Sequence, residues 1–274
     1  MQLSRDEVFR IFNVRDRGGD RRPLMFAHGF GCDQSMWDAV APAFEDEYRV
    51  VLFDHVGAGA SDPSAYDRVR HSDLAGYAAD VNAICDALDL RNVTFVGHSV
   101  SATIGVLAAI RRPGRFSDLV LIGPSPCYLN DGDYRGGFDR STLDELLDVM
   151  DSNFLGWSSA IAPTIMGNAD RPELGTRLAE SFCRADPVIV RQFARVTFFS
   201  DNRADLPGSR TPALILQCAD DVIAPDSVGA YMHEHLPNSR LLRLKASGHC
   251  PHVSDPDEVI AVMKGHLRDV AAHP

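Results

Sequence analysis

Short apolar runs alternate with helix-length amphipathic stretches along most of this chain, and the alternation stops once, between Ile122 and Ala213. Runs at Leu24–Ala27, Val50–Asp54, Val93–Val96, Leu119–Ile122, Ala213–Gln217 and Arg240–Leu244 predict strands. Most are continuously apolar, as strands buried on both faces of a parallel sheet must be. Helical patterns follow over Met36–Phe44, Leu74–Leu88, Ala102–Arg111, Ser227–His235 and Pro256–Leu267. Strand, helix, strand in this order predicts the α/β class with a mostly parallel sheet flanked by helices. No internal repeat competes with that reading.

The silent stretch holds four helical signatures and no strand. Thr142 with Glu145 has the spacing of a capping box, ahead of Leu143, Leu146, Leu147 and Met150 on one face. Phe154, Trp157 and Ile161 form a second stripe that Pro163 should end. Asp170 is placed to cap a third helix carrying Leu174, Leu178 and Phe182, and Asp186-Pro187 opens a fourth with Ile189, Phe193 and Val196. A helical insertion between two strands can cover their carboxyl ends, where ligands bind. The expected organisation is therefore a core over 1–123 and 206–274, with a four-helix lid over 124–205.

Composition narrows the function. With 274 residues, 45% of them hydrophobic and 24% charged, the chain can build a large core. A formal charge of −11 disfavours nucleic acid and anionic membrane surfaces as partners. The opening Met1-Gln2-Leu3-Ser4-Arg5-Asp6-Glu7 has no basic stretch followed by an apolar one, and no run is long enough to span a bilayer. Six scattered cysteines in a chain read as cytoplasmic are expected to be reduced thiols. No cofactor motif is complete: Gly57-x-Gly59 lacks the rest of a dinucleotide fingerprint and reads as a supporting turn.

Chemistry concentrates at strand ends. The run Asn92–Val96 leads into Gly97-His98-Ser99-Val100-Ser101 and directly on into a helix. A tight strand-to-helix turn of this kind projects a serine hydroxyl above the sheet, and small residues at 97 and 101 let strand and helix approach. Ser99 is the candidate nucleophile, and the Val100 N–H a candidate oxyanion donor. After the first clear strand, His28-Gly29-Phe30-Gly31 offers the Phe30 N–H as the second donor. His28 reads as a structural hydrogen-bonding residue.

A serine needs a base, and the base an acid, in the order serine, acid, histidine. Asp221, four residues before Pro225, is the better acid, with Asp220 the alternative. His249, after the last strand, is the base; His252 can instead serve, or the two can form a metal pair, for which no third ligand is visible, so no metal is expected.

With these residues in view, the chain resembles the α/β-hydrolase superfamily throughout its length, and within it the branch of the bacterial stress regulator RsbQ and the plant karrikin and strigolactone receptors. The strings that carry this are His28–Gln34, Gly97–Ala102, Gly123–Asp131 with Cys127-Tyr128-Leu129-Asn130-Asp131, Gly136-Gly137-Phe138, Gln217–Asp221 and Gly248–His252. RsbQ-like proteins match best, and the segment before Pro23 departs most. The resemblance implies the α/β-hydrolase fold with a four-helix, V-shaped lid over an apolar pocket. It implies a small hydrophobic ester or lactone as substrate, with Phe30, Val100, Phe138, Trp157, Phe193, Phe198 and Val222 lining its site. By analogy with RsbQ it also implies a PAS-domain phosphatase as partner and a role in stress signalling, either as a turning-over esterase or as a slow ligand sensor. Carbon–carbon bond hydrolysis by the same triad is the third reading, for which only Arg191 and Arg195 offer a carboxylate anchor.

Overall fold

A computed structural model describes residues 3–272. Its strands are β1 (Arg15–Arg17), β2 (Pro23–Ala27), β3 (Arg49–Phe53), β4 (Val93–His98), β5 (Phe116–Ile122), β6 (Ala213–Ala219) and β7 (Ser239–Ser247). They stand in the order β1-β3-β2-β4-β5-β6-β7, all parallel except the antiparallel edge pair β1 and β3. All six apolar runs are strands, and β2 and β4 are buried along their whole length.

Helices α1 (Arg5–Ile11), α2 (Leu74–Ala87), α3 (Val100–Arg111), α4 (Arg140–Ser152), α5 (Phe154–Met166), α6 (Pro172–Arg184), α7 (Pro187–Phe199), α8 (Asp226–His235), α9 (Pro251–Ser254) and α10 (Pro256–Ala272) complete the chain. One buried cluster, including Met25, Phe53, Tyr77, Ile104 and Leu119, fills one side of the sheet. A second, including Phe26, Trp37, Val120, Leu216 and Met263, fills the other. A third gathers Met36, Tyr128, Leu147, Trp157, Phe182, Phe198 and Ile223, where α4 to α7 meet the loops above the strands.

Several local expectations are corrected. Met36–Phe44 is not one helix but two 3₁₀ turns, Gln34–Trp37 and Ala41–Phe44. Pro42 lacks the N–H that a continuous helix needs, and its ring would press on the carbonyl four residues back. The Thr142/Glu145 box does not cap α4, which begins at Arg140 with Thr142 already inside; Asp139 precedes it, its carboxylate taken by Asn130. Pro163 does not end α5, which runs on to Met166 and stops at Gly167, where φ is 62°. Asp170 does not cap α6: Arg171 precedes its first residue, Pro172, whose ring presets helical φ. Asp186 does cap α7, accepting from the Val188 and Ile189 N–H groups at 2.9 and 3.0 Å. All six cysteines are free thiols. No helix among the described residues is long and apolar enough to cross a membrane.

Candidate active site

Ser99 ends the turn between β4 and α3 with φ 56° and ψ −124°, a conformation outside the usual wells for a residue with a side chain. Gly97 permits this turn, since a Cβ there would lie 2.5 Å from the Ser101 carbonyl oxygen. Ser101 does more than fit. Its hydroxyl donates to the His28 carbonyl at 2.5 Å and meets His55 Nε2 at 2.8 Å. A hydroxyl has one proton to give, so His55 is the donor in the second bond. His28 Nε2 in turn accepts from the His55 N–H at 3.1 Å. This ring of contacts ties the Phe30 loop to the serine turn. Val100 opens α3, so its N–H has no acceptor within the helix and is free for an oxyanion.

His249 Nε2 lies 2.8 Å from Ser99 Oγ, and its Nδ1 lies 2.8 Å from Asp221 Oδ2. All three side chains are buried. Asp221 Oδ1 also accepts from the Ile223 and Ala224 N–H groups at 2.9 and 3.0 Å. Burial opposes the charge on Asp221, but His249 and these two N–H groups outweigh it and hold the carboxyl below its ordinary range. The main chain of His249 is held from both sides. Its carbonyl accepts from His98 Nε2 at 2.8 Å, and its N–H donates to the Ile165 carbonyl of α5 at 2.9 Å. Burial and the nearby His249 ring lower His98 to about 3, so it stays neutral and can donate. Beside this bond, Asn168 Nδ2 donates to the carbonyls of Met166 and Ser247 at 2.7 and 3.0 Å.

Above the serine is a narrow cavity lined by apolar side chains such as Phe30, Leu178, Phe182, Phe198 and Ile223. Phe30 packs within 6.4 Å, centroid to centroid, of four rings of the insert: Trp157, Phe182, Phe193 and Phe198. Gly31, with φ 71°, leaves room for Phe182, whose ring would lie 1.8 Å from a Cβ there. Cys32 and Cys250 also line the cavity. Burial pushes the Cys32 thiol up to about 12 and Cys250 well above its usual value, which holds both as neutral thiols.

The model of the Alpha/beta hydrolase family matches residues 24–262. The chain belongs to that family. A probable esterase of Oryza sativa subsp. japonica is 42% identical over 96% of this chain and 98% of its own length. A karrikin insensitive 2 receptor of Petunia hybrida is 39% identical over 96% and 98%. The solved structure of a hydrolase from Oleispira antarctica superposes with a TM-score of 0.95 at 42% identity, covering 98% of each chain. These relatives place the chain with the plant receptor branch of the α/β hydrolases.

The structure of this family member brings Ser99, Asp221, His249, Phe30 and Val100 to one place. Asp220 stays exposed, its Oδ2 3.5 Å from Ser247 Oγ. His252 is buried against Trp37, ring centroids 4.4 Å apart, and bonds to no member of the row. No group of three or more metal-ligating side chains exists among the described residues. Phe198 lines the cavity; Trp157 and Phe193 back it through Phe30, and Phe138 through Phe198 at 6.2 Å. Val100 and Val222 are the corrections: Val100 is fully buried outside the wall, and Val222 is 51% exposed, its neighbour Ile223 taking the place in the wall. Two polar residues escaped the sequence reading. Tyr128 places its hydroxyl 3.2 Å from Ser99 Oγ, and Thr197 lines the cavity from α7. Tyr128 lay within a string used only for resemblance, and Thr197 carries no local signal.

Proposed function

We propose that the protein is a carboxylic ester hydrolase for small, neutral, apolar esters or lactones, with Ser99 as nucleophile, His249 as base and Asp221 as the orienting acid. The observation that carries the reading is the unbroken row from Ser99 Oγ through His249 to Asp221, each link 2.8 Å, on the floor of an apolar cavity. His249 takes the Ser99 proton as Oγ attacks the ester carbonyl. Negative charge on the carbonyl oxygen is met by the Phe30 and Val100 N–H groups, already held in place by the Ser101 and His28 contacts. His249 then protonates the leaving alcohol, and water, deprotonated by the same ring, releases the acid from Ser99. Asp221 fixes the tautomer that leaves Nε2 free to accept and stabilises the imidazolium. Burial raises the Tyr128 phenol, keeping it protonated and able to donate to Ser99 Oγ throughout.

In this reading the helices between β5 and β6, within 124–205, form a lid. A second reading, in which turnover is slow and the protein reports ligand binding, draws on the relative named as a receptor. Mixing pure protein with short-chain p-nitrophenyl esters, beside Ser99→Ala, separates the two. Sustained Ser99-dependent release of nitrophenol is the expected result. A burst followed by near silence selects the sensor, and Ser99→Ala at wild-type rate removes the assignment of Ser99.

A further inference from the structure

The cavity is nearly all carbon. Among the residues that line it there is no Arg, Lys, Asp or Glu, and its polar side chains other than thiols are Ser99, His98, His249, Tyr128 and Thr197. Four of these make at least one bond among themselves: Ser99 with His249 and Tyr128, and His98 through Nε2 with the His249 carbonyl, its Nδ1 staying unpartnered. Thr197 is the exception. It is 1% exposed, and Oγ1 has no hydrogen-bond partner.

That state is unusual for a threonine on a helix. Its hydroxyl ordinarily returns to a carbonyl of the preceding turn, which here would be that of Phe193. A buried hydroxyl without a partner is destabilising, and valine has the same shape without the penalty. Core packing alone therefore favours valine at 197. A ligand oxygen in the cavity would complete the hydroxyl's bonding.

We infer that Thr197 is a specificity-determining residue whose hydroxyl donates to a second oxygen of the ligand, an ether or carbonyl oxygen apart from the carbonyl that Ser99 attacks. The ligand class is then a neutral ester or lactone that carries one further acceptor oxygen within an otherwise hydrocarbon skeleton. A charged ligand does not fit, because the wall has nothing to pair with it. The ester part of this statement rests on the proposed hydrolase function; the Thr197 contact does not.

The test compares hydrocarbon esters with ether isosteres of the same length. The pairs are p-nitrophenyl hexanoate with p-nitrophenyl ethoxypropanoate, and pentyl acetate with ethoxyethyl acetate. Taking each substrate's ratio between wild type and Thr197→Val cancels intrinsic reactivity. In at least one pair, Thr197→Val is expected to lower kcat/KM for the ether about fivefold to tenfold relative to its hydrocarbon partner, the size of one neutral hydrogen bond. Thr197→Ser should keep the wild-type preference. Thr197→Ala serves if the valine variant does not fold. A parallel calorimetric titration with an uncleavable pair, hexyl methyl ketone and its ether isostere, should show the same loss in affinity.

If ether and hydrocarbon change by one common factor in both ester pairs and in the ketones, the inference about Thr197 is overturned. If no ester is turned over but the ketone pair shows the selectivity, the hydrolase reading falls and the Thr197 contact stands.

Discussion

Ser99, His249 and Asp221 at the carboxyl edge of the sheet and the aromatic wall of the helices above them treat polar groups in different ways. At the edge, Ser99, His249 and Asp221 each have named partners within 3.2 Å, and even the His249 backbone is bonded on both sides. The insert meets the same space with Trp157, Phe182, Phe193 and Phe198, and leaves Trp157 Nε1 and Thr197 Oγ1 without partners. The difference separates two tasks. A reacting group must be held in one orientation before substrate arrives, which hydrogen bonds do. A wall that selects by shape and oil needs few such bonds, and any polar atom it keeps free is a candidate contact for ligand.

Substitutions at the edge should therefore act on the chemical step, and those in the insert on recognition. The largest effect belongs to Ser99→Ala, expected to lower kcat/KM on p-nitrophenyl esters by about a thousandfold or more with the circular dichroism spectrum unchanged. Retention of more than a tenth of wild-type activity would break the comparison at its strongest point. Asp221→Asn should follow, with kcat down about 10²- to 10⁴-fold and KM little changed, because the amide favours the wrong histidine tautomer.

The same variant tests the electrostatics. Folding lowers the Asp221 pKa below its unfolded value of 3.8, so its stabilising contribution is fully present above that pH. The stability gap between wild type and Asp221→Asn, read from urea midpoints, should close as pH falls below 3.8 and through the folded value. A gap that widened on acidification would contradict the pairing.

In the insert, Phe198→Ala should raise KM about tenfold while kcat changes less, and lower stability by about 3 kcal/mol through the cavity it leaves. A loss confined to kcat would mean that the ring positions the reacting row instead of the ligand. The smallest effect is expected for Val222→Ser, within about twofold in kcat/KM, since a half-exposed side chain outside the wall changes little.

The sequence made the sheet legible because parallel strands buried on both faces must be almost wholly apolar, and Leu24–Ala27 and Leu119–Ile122 are so without interruption. The edge strand β1 was invisible for the converse reason: Arg15-Asp16-Arg17 is all charge. Its pairing is secured by Arg49, which bonds Asp16 at 2.8 and 2.7 Å from a distant part of the chain. Helix α1 preceded any recognisable pattern, although Ser4 and Glu7 form a capping box. Strand ends announced the reacting row through local strings, Gly97–Ser101 above all. The wall did not announce itself, because whether Val222 or Ile223 faces the cavity depends on a turn after β6, and Thr197 matters only for what it fails to touch.

The bond from His249 N–H to the Ile165 carbonyl, with Asn168 bridging to Ser247, fastens the last turn of α5 to the loop that carries His249, the proposed base. In the proposed reading the cover is thus anchored at the machinery it covers, like a door hung on the frame of the lock. In the proposed reading of these helices as a lid, a motion that keeps this bond leaves the end of α5 in place and is carried by α4, α6 or α7. A displacement of the α5 end itself would unfasten the base in the same movement, so that access and readiness to react become one mechanical variable.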